Sequence, residues 1–326
     1  AAEIEGSKVF CKDLMKKYGI PTARYESFDS LDQVKLFTKE DEPVVVKASG
    51  LAAGKGVLIA KNRTEARQFV RNMLDFGQFG SSGEEIVVEE FLKGRETSLH
   101  LLVSGEDFTV LPTSRDHKKI GEGETGPNTG GMGVIAPDPT MPAETLEKIL
   151  ETIAKPTLAG IRSEGIDYRG ILYIGLMLTD EGPKVLEFNV RLGDPETQLI
   201  LPLFQEDTVG VFIAAAEGNP LPQSLTPTGN SAIAIVLAAD GYPGSYDKGV
   251  QIQIPGNLPE GVSVIHAGTR LETAGNLVTS GGRVLNIVSI ADTAEEASTR
   301  AYAACRHTYF QKQYYRRDIG MTVPAT

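Results

Sequence analysis

The sequence predicts an α+β protein of more than one structural unit, on three observations. Its 326 residues exceed the usual span of a single hydrophobic core. Short apolar runs of strand length are interspersed with amphipathic stretches of helix length. A stretch rich in Pro, Ser and Thr at 219–230 reads as a linker, the best boundary in the chain.

The elements follow in order. Val9, Phe10 and Leu14 recur at helical spacing, and Gly19 with Pro21 ends the pattern, which predicts a helix over 7–18 carrying Lys8. Residues 43–47 read as a buried strand delivering Lys47; a glycine-rich turn at 50–56 joins it to a second strand at 57–60. An amphipathic helix over 64–76 with Thr64 as its cap, then a strand over 85–91, close this part. Strands at 97–103 and 108–111 lead into a polar, glycine-rich stretch at 116–133, far longer than an ordinary connection and therefore functional or disordered. A long helix at 143–163 precedes a hairpin of strands 170–178 and 184–188 around the turn at 180–182. One helix over 196–217 leads to the linker. Beyond it, strands at 232–238, 262–267 and 283–290 precede a helix over 293–307. The expected division is 1–42 as the N-terminal helix and start of the core, 43–92 as a small lid, 93–220 as a large catalytic part and 221–326 as a small C-terminal mixed α/β domain.

Composition excludes several classes of function. A net charge of −11 argues against nucleic acid, because binding by counterion release needs clustered Lys and Arg. No apolar run approaches the roughly 18 residues of a membrane span, and the first residues carry no secretory pattern, so a cytoplasmic protein is expected with no membrane partner. Cys11 and Cys305 match no metal or disulfide spacing and read as buried thiols. Local clusters can still bind a small phosphate ligand in an acidic protein.

Four stretches stand out. GLAAGKG at 50–56, set directly after Val46 and Lys47, is either a flexible hairpin tip or a cover of backbone amides over phosphates, with Lys47 and Lys55 adding positive charge; it lacks the ending of a Walker loop. VVEEFLKGRE at 87–96 is either a strand end with solvated carboxylates or a hinge that pairs with a base edge. In EFNVRLGDPE at 187–196, alternation puts Glu187, Asn189 and Arg191 on one strand face and Leu186, Phe188 and Val190 on the other. Two oxygen ligands and an arginine fork then point together, which suits Mg²⁺ and a phosphoryl group. The loop at 116–133 is either exposed or wrapped around a small polar substrate. His117 within it is a base or a structural side chain; His100, His266 and His307 read as structural.

Taken together, VVKASGLAAGKGV, VEEFLKGRE, DHK, GPNTGGMG and EFNVRLGDPE resemble the ATP-grasp superfamily, and within it the phosphoribosylamine–glycine ligase family. The resemblance extends through HAGT at 266–269, GGRV at 281–284 and RRDIG at 316–320. It implies an ATP-grasp fold, ATP with Mg²⁺ or Mn²⁺ as cofactors, and glycine and 5-phosphoribosylamine as substrates, joined through glycyl phosphate in purine synthesis. It further implies that Lys8 and Lys47 hold ATP phosphates beneath the turn containing Gly54, Lys55 and Gly56. Glu89 and Leu92 would give backbone bonds to adenine, Glu96 would take the ribose, and Glu187 and Asn189 the metal. Arg191, Lys47 and Asp116 would be catalytic, with Asp116, Lys118, Asn128, Thr129, Gly130, Gly131, Met132 and Arg191 binding substrate. The family has a further Rossmann-like domain before the position of Ala1, expected upstream or on another chain. The alternatives are a related carboxylate–amine ligase, or a fragment that only binds nucleotide.

Overall fold

A computed structural model of the chain describes residues 2–31, 42–52 and 56–321, which cluster into two units, each drawn from three stretches of sequence. The first comprises Ala1–Thr109, Met141–Arg191 and Gly210–Gln223; the second comprises Val110–Thr140, Leu192–Val209 and Ser224–Thr326.

In the first unit, Ser7 caps the opening helix Lys8–Lys17 by accepting the Phe10 N–H (3.2 Å), and Gly19 ends it at φ +66° with the Ile20 N–H reaching back to Met15 O. An antiparallel sheet follows in the order Tyr25–Phe28, Ile86–Glu90, Val44–Ala48, Val57–Ala60. Its alternation sends Val44, Val46, Ala48, Ile86 and Val88 to one face, where they pack on Ala66, Val70 and Met73 of the helix Arg63–Leu74. Val45, Lys47, Val87 and Glu89 therefore occupy the other face. Because Lys47 pairs with Val87 and Val45 with Glu89, Lys47 and Glu89 are diagonal neighbours across two strands.

The cap of helix Arg63–Leu74 is Asn62, not Thr64. Its side chain accepts the Glu65 N–H (3.0 Å) while Glu65 accepts the Lys61 N–H (2.8 Å), a capping arrangement written in the sequence as N-x-x-E.

A second antiparallel sheet runs Gly182–Asn189, Arg169–Thr179, Arg95–Ser104, with Asp107–Val110 at the edge where the chain leaves the unit. The expected helix over 143–163 forms as Ala143–Ile149 and Lys155–Ser163 joined by one wide turn, Leu150–Ala154. Pro156 has no N–H to return to the Thr152 carbonyl, and the wide turn lies immediately before it.

In the second unit an antiparallel sheet runs Val262–His266, Arg283–Ala291, Ser231–Ala238, Gly133–Ala136, Arg115–Asp116. The helix Ala294–His307, capped by Thr293, packs Ala297, Ala301, Ala304 and Cys305 against Ile233, Ile235, Leu237 and Ile287. Val134, Ala136, Ala232, Ala234 and Val288 pack on Leu199 and Leu203 from the opposite face. Burial on both sides is why Ser231–Ala238 reads as an unbroken apolar run. The single helix expected over 196–217 is instead interrupted: turns at Thr197–Ile200 and Leu201–Leu203 stop where Phe204 becomes extended and bridges Pro227, and a separate helix starts at Thr208. The stretch 116–133 also departs from a structureless loop, since Lys119–Gly121 and Thr125–Asn128 pair as a hairpin.

Cys11 and Cys305 are buried free thiols, and burial pushes them up to about 11 and about 12 respectively. Among the described residues, no helix is long and apolar enough to cross a membrane.

Candidate active site

In the first unit the candidate residues gather around Glu89. Lys47 Nζ lies 2.8 Å from Glu89 Oε1 and donates to Leu186 O at 3.1 Å. Lys12, which the sequence reading did not single out, approaches the other carboxylate oxygen at 3.1 Å and donates to Thr22 Oγ1 at 2.7 Å; Thr22 in turn donates to Val185 O. Glu89 and Lys12 are each 2% exposed. Lys12 lies one helical turn beyond Lys8, so the two share a face of the opening helix. That spacing was visible in the sequence.

Burial pulls both Lys12 and Lys47 down, and Glu89 opposes this for each. Lys47, closer to the carboxylate, stays above the ordinary lysine range; Lys12 is lowered to about 8, with Lys47 itself adding repulsion. Lys8 donates to Gly50 O at 3.1 Å, and burial lowers its amine against the opposing pull of Glu187. Three ammonium groups thus converge near two carboxylates, a local excess of positive charge in an acidic chain.

The strand Gly182–Asn189 carries a bulge. Gly175 pairs with Glu187 but Leu176 with Val185, so Leu186 is an extra residue and the alternation changes phase there. Pro183 and Val185 are buried before it and Phe188 after it, while Glu187 and Asn189 keep partial exposure. The expected face of Glu187 and Asn189 forms. Leu186 differs from the expected pattern: it packs with Ala23, Leu92 and Met177 and turns its carbonyl to Lys47. Glu5, unlike Lys12, has no signal in the sequence. Its carboxylate takes Arg191 Nε (3.0 Å) and the Val190 N–H (2.9 Å), and Arg191 also donates to Asn189 Oδ1 at 3.3 Å.

The backbone of Glu89 corrects one expectation. The Glu90 N–H donates to Arg24 O (2.9 Å), so Glu89, one residue earlier, directs its own N–H and C=O the other way, into the ladder with Val45. Leu92 is buried, and Glu96 is half-buried opposite Met177. Gly56 closes on Ala52, whereas Gly54 and Lys55 lie outside the described residues.

In the second unit Asp116 sits on an edge strand opposite Val134. Lys118 O accepts both the Thr129 N–H and its hydroxyl (2.8 Å each), and Thr129 Oγ1 accepts the Gly131 N–H. Gly131 has φ +112°, and a Cβ there would stand 2.7 Å from both Asp116 Oδ1 and Pro195 Cδ, so no side chain fits. Arg283, from the GGRV stretch, donates to Gly130 O (2.6 Å) and Asp194 O (2.7 Å) and pairs with Asp194 Oδ2 (2.7 Å). Tyr242 Oη accepts the Gly130 N–H. The sequence reading assigned neither residue a role. Burial raises the Glu196 carboxyl, opposed by Lys118 and Arg283.

Two further outcomes bear on substrate contact. Asn128 is exposed on the hairpin. Met132 is fully enclosed, and its N–H is bonded to His117 O and its carbonyl to the Val236 N–H, so both backbone groups are engaged within the protein. His117 is structural. Its Nδ1 lies 3.2 Å from Gly133 O, a carbonyl that can only accept, and burial, aided by Arg115 and Arg316, lowers the ring to about 4.

The model of the phosphoribosylglycinamide synthetase ATP-grasp (A) domain matches residues 6–197, and that of the C domain of the same family matches 232–322. A phosphoribosylamine–glycine ligase of Caldanaerobacter subterraneus is 47% identical over 321 residues, covering 98% of this chain and 76% of the relative. The bifunctional purine biosynthetic protein of Pichia angusta is 46% identical and the chloroplastic ligase of Arabidopsis thaliana 45%, each over 98% of this chain. This chain spans 41% of the Pichia protein and 61% of the Arabidopsis protein. The crystal structure of the Thermotoga maritima phosphoribosylamine–glycine ligase superposes with a TM-score of 0.89 at 42% identity, over 98% of this chain and 80% of that one. A Hydrogenobacter thermophilus biotin carboxylase domain, 19% identical with a TM-score of 0.73, shares the fold.

Proposed function

This chain belongs to the phosphoribosylamine–glycine ligase family and has the ATP-grasp fold, and we propose that it joins glycine to 5-phosphoribosylamine, giving glycinamide ribonucleotide, ADP and phosphate. The observation that carries this reading is the convergence, within one unit, of Lys8 and Lys47 with the Glu187–Asn189–Arg191 face. Lys8 and Lys47 hold the phosphates. A glycine carboxylate oxygen attacks the γ-phosphorus, ADP leaves, and Arg191 steadies the transferring group and the resulting glycyl phosphate. The amine of phosphoribosylamine then attacks the acyl carbon and expels phosphate. Positioning and charge neutralisation supply the catalysis, and no protein nucleophile is needed.

Glu187 and Asn189 offer one carboxylate and one amide oxygen on the same side of the bulged strand. That donor set fits a hard divalent cation completed by phosphate oxygens and water, Mg²⁺ or Mn²⁺. Such a cation would neutralise phosphate charge as the bond to ADP breaks. Among the described residues no group of three His, Cys, Asp or Glu side chains is placed to hold a metal.

On this reading residues 43–92 form the lid, 93–220 the catalytic part and 221–326 the C-terminal domain. Asp116, Lys118, Asn128, Thr129, Gly130 and Gly131 contact the substrates, Leu92 the adenine and Glu96 the ribose. The test is ADP release with MgATP, glycine and phosphoribosylamine, each omitted in turn, with Glu187→Gln beside the parent chain. Release that needs both acceptors and collapses in Glu187→Gln supports the reading. Release indifferent to glycine, or unchanged in the variant, overturns it.

A further inference from the structure

The RRDIG stretch at 316–320 has a buried charge that the proposed chemistry does not use. Arg316 is fully enclosed, yet every nitrogen of its guanidinium is bonded. Nε and Nη2 form a two-pronged contact with Asp318 at 2.8 and 2.7 Å, Nη2 also reaches Glu124 Oε1 at 2.7 Å, and Nη1 donates to Lys119 O at 2.9 Å. Its neighbours continue the pattern. Asp318 accepts the Gly123 N–H (2.8 Å), the Arg317 N–H donates to Glu122 (3.1 Å), and Tyr314 donates to Ile120 O (2.8 Å). The other side of this segment is tied to the helix Ala294–His307, whose Tyr302 hydroxyl donates to Arg316 O and accepts the Ile319 N–H.

The contacts from Tyr314, Arg316, Arg317 and Asp318 to residues 119–124 converge on the hairpin Lys119–Gly121/Thr125–Asn128. None of its strand residues is buried, and Thr125–Asn128 is exposed throughout, so no apolar core sets its position. Its turn follows Gly123, free to take φ +66°, with Glu124 at φ +56°, a left-handed conformation that costs a glutamate and has to be held. Arg316 holds it. The base of the same hairpin carries Lys118, Asn128 and Thr129.

We propose that Arg316 is a positioning residue: it clamps the 119–128 hairpin and thereby presents Lys118, Asn128 and Thr129 to the acceptor substrates. The proposal rests on the function given above. Arg316 touches no substrate and acts through the hairpin.

Two variants test it, Arg316→Lys, which keeps the charge but loses the fork, and Glu124→Gln, which leaves the Arg316–Asp318 contact intact. Each is compared with the parent chain by steady-state kinetics, by MgATP binding, and by amide hydrogen exchange over 119–128. Loss of one charge-assisted hydrogen bond corresponds to about a tenfold effect or more. The expected result is a rise of about that size in KM for glycine or phosphoribosylamine, larger for Arg316→Lys, with kcat less affected. Exchange over 119–128 should quicken by a similar factor, while MgATP affinity stays within about twofold, as expected when an altered group contacts no nucleotide. Unchanged exchange and unchanged KM overturn the clamp, as does an equal loss of MgATP affinity. Hydrogen exchange reads the clamp without any assay of ligation, so a parent chain that fails to ligate glycine overturns the proposed function and leaves the clamp to be judged by exchange alone.

Discussion

Replacing Glu89 by glutamine would remove the one carboxylate that faces both Lys12 and Lys47. The three side chains are 2%, 3% and 9% exposed, so solvent offers little screening. Breaking a buried pair by removing one partner costs about 3–5 kcal/mol, because an ammonium is left without its counter-charge. For a unit of this size that corresponds to a drop of about 6–20 °C in melting temperature at neutral pH. The pH dependence distinguishes this cause from a packing defect. Lys12 titrates at about 8 in the folded chain against 10.5 when unfolded, so the folded state binds fewer protons across that window. Its burial penalty is therefore full below about 8 and fades as pH rises toward 10.5. Loss of Glu89 pushes the Lys12 amine further down, so the variant's deficit should be largest at pH 7 and should shrink by pH 9. Adding Lys12→Met should restore much of the stability, since it removes a charge that has lost its partner. Thermal unfolding of the parent, single and double variants at pH 7 and 9 is the assay. A deficit identical at both pH values, or a double variant worse than the sum of its parts, would refute the reasoning.

Two further outcomes are expected. Glu5→Gln should leave stability within about 1 kcal/mol, because the Arg191 side chain is more than half exposed, yet loosening that guanidinium should lower kcat about tenfold at unchanged ATP affinity; unaltered kcat would show that Arg191 needs no such anchor. His117 is held at about 4 against 6.5 unfolded, so its contribution to stability is present above 6.5 and is lost as pH falls toward 4, reaching about 3 kcal/mol. Denaturant unfolding of the parent and His117→Gln at pH 7 and 4.5 checks this, and equal pH slopes in the two would contradict it.

Where local chemistry decided structure, the sequence was readable. Ser7 before the first turn and Gly19 after the last bracket the opening helix, and the strand Val57–Ala60 forms over the residues expected. Reading failed where long-range contacts or competing local signals decide. Asn62 and Thr64 both offer caps; the Glu65 N–H bonded to Asn62 Oδ1, with the Glu65 carboxylate accepting the Lys61 N–H, selects Asn62. Phe204 breaks an otherwise helical pattern because it bridges Pro227. The hairpin at 119–128 escaped because its strands are short and bury nothing, leaving no alternation to read. At the candidate site, the alternate spacing of Glu187 and Asn189 was legible. The bulge at Leu186 was not, since it depends on the partner strand. Lys12 lay in plain view one turn after Lys8, whereas Glu5 reaches Arg191 across 186 positions and leaves no trace in either neighbourhood.

The scattered make-up of the first unit bears on the order in which a ribosome can release it to fold. The sheet that carries Lys47 and Glu89 is complete once Glu90 has emerged, but its companion sheet waits for Asn189. At about 5–20 residues per second, that interval lasts on the order of 5–20 s. During it Lys12, Lys47 and Glu89 can already neutralise one another, while the strand carbonyls at Val185 and Leu186 that complete their bonding have yet to be synthesised. The sheet that carries Lys47 and Glu89 is thus able to form as an early folding island, and the strand Gly182–Asn189 docks onto charges that have already been paired.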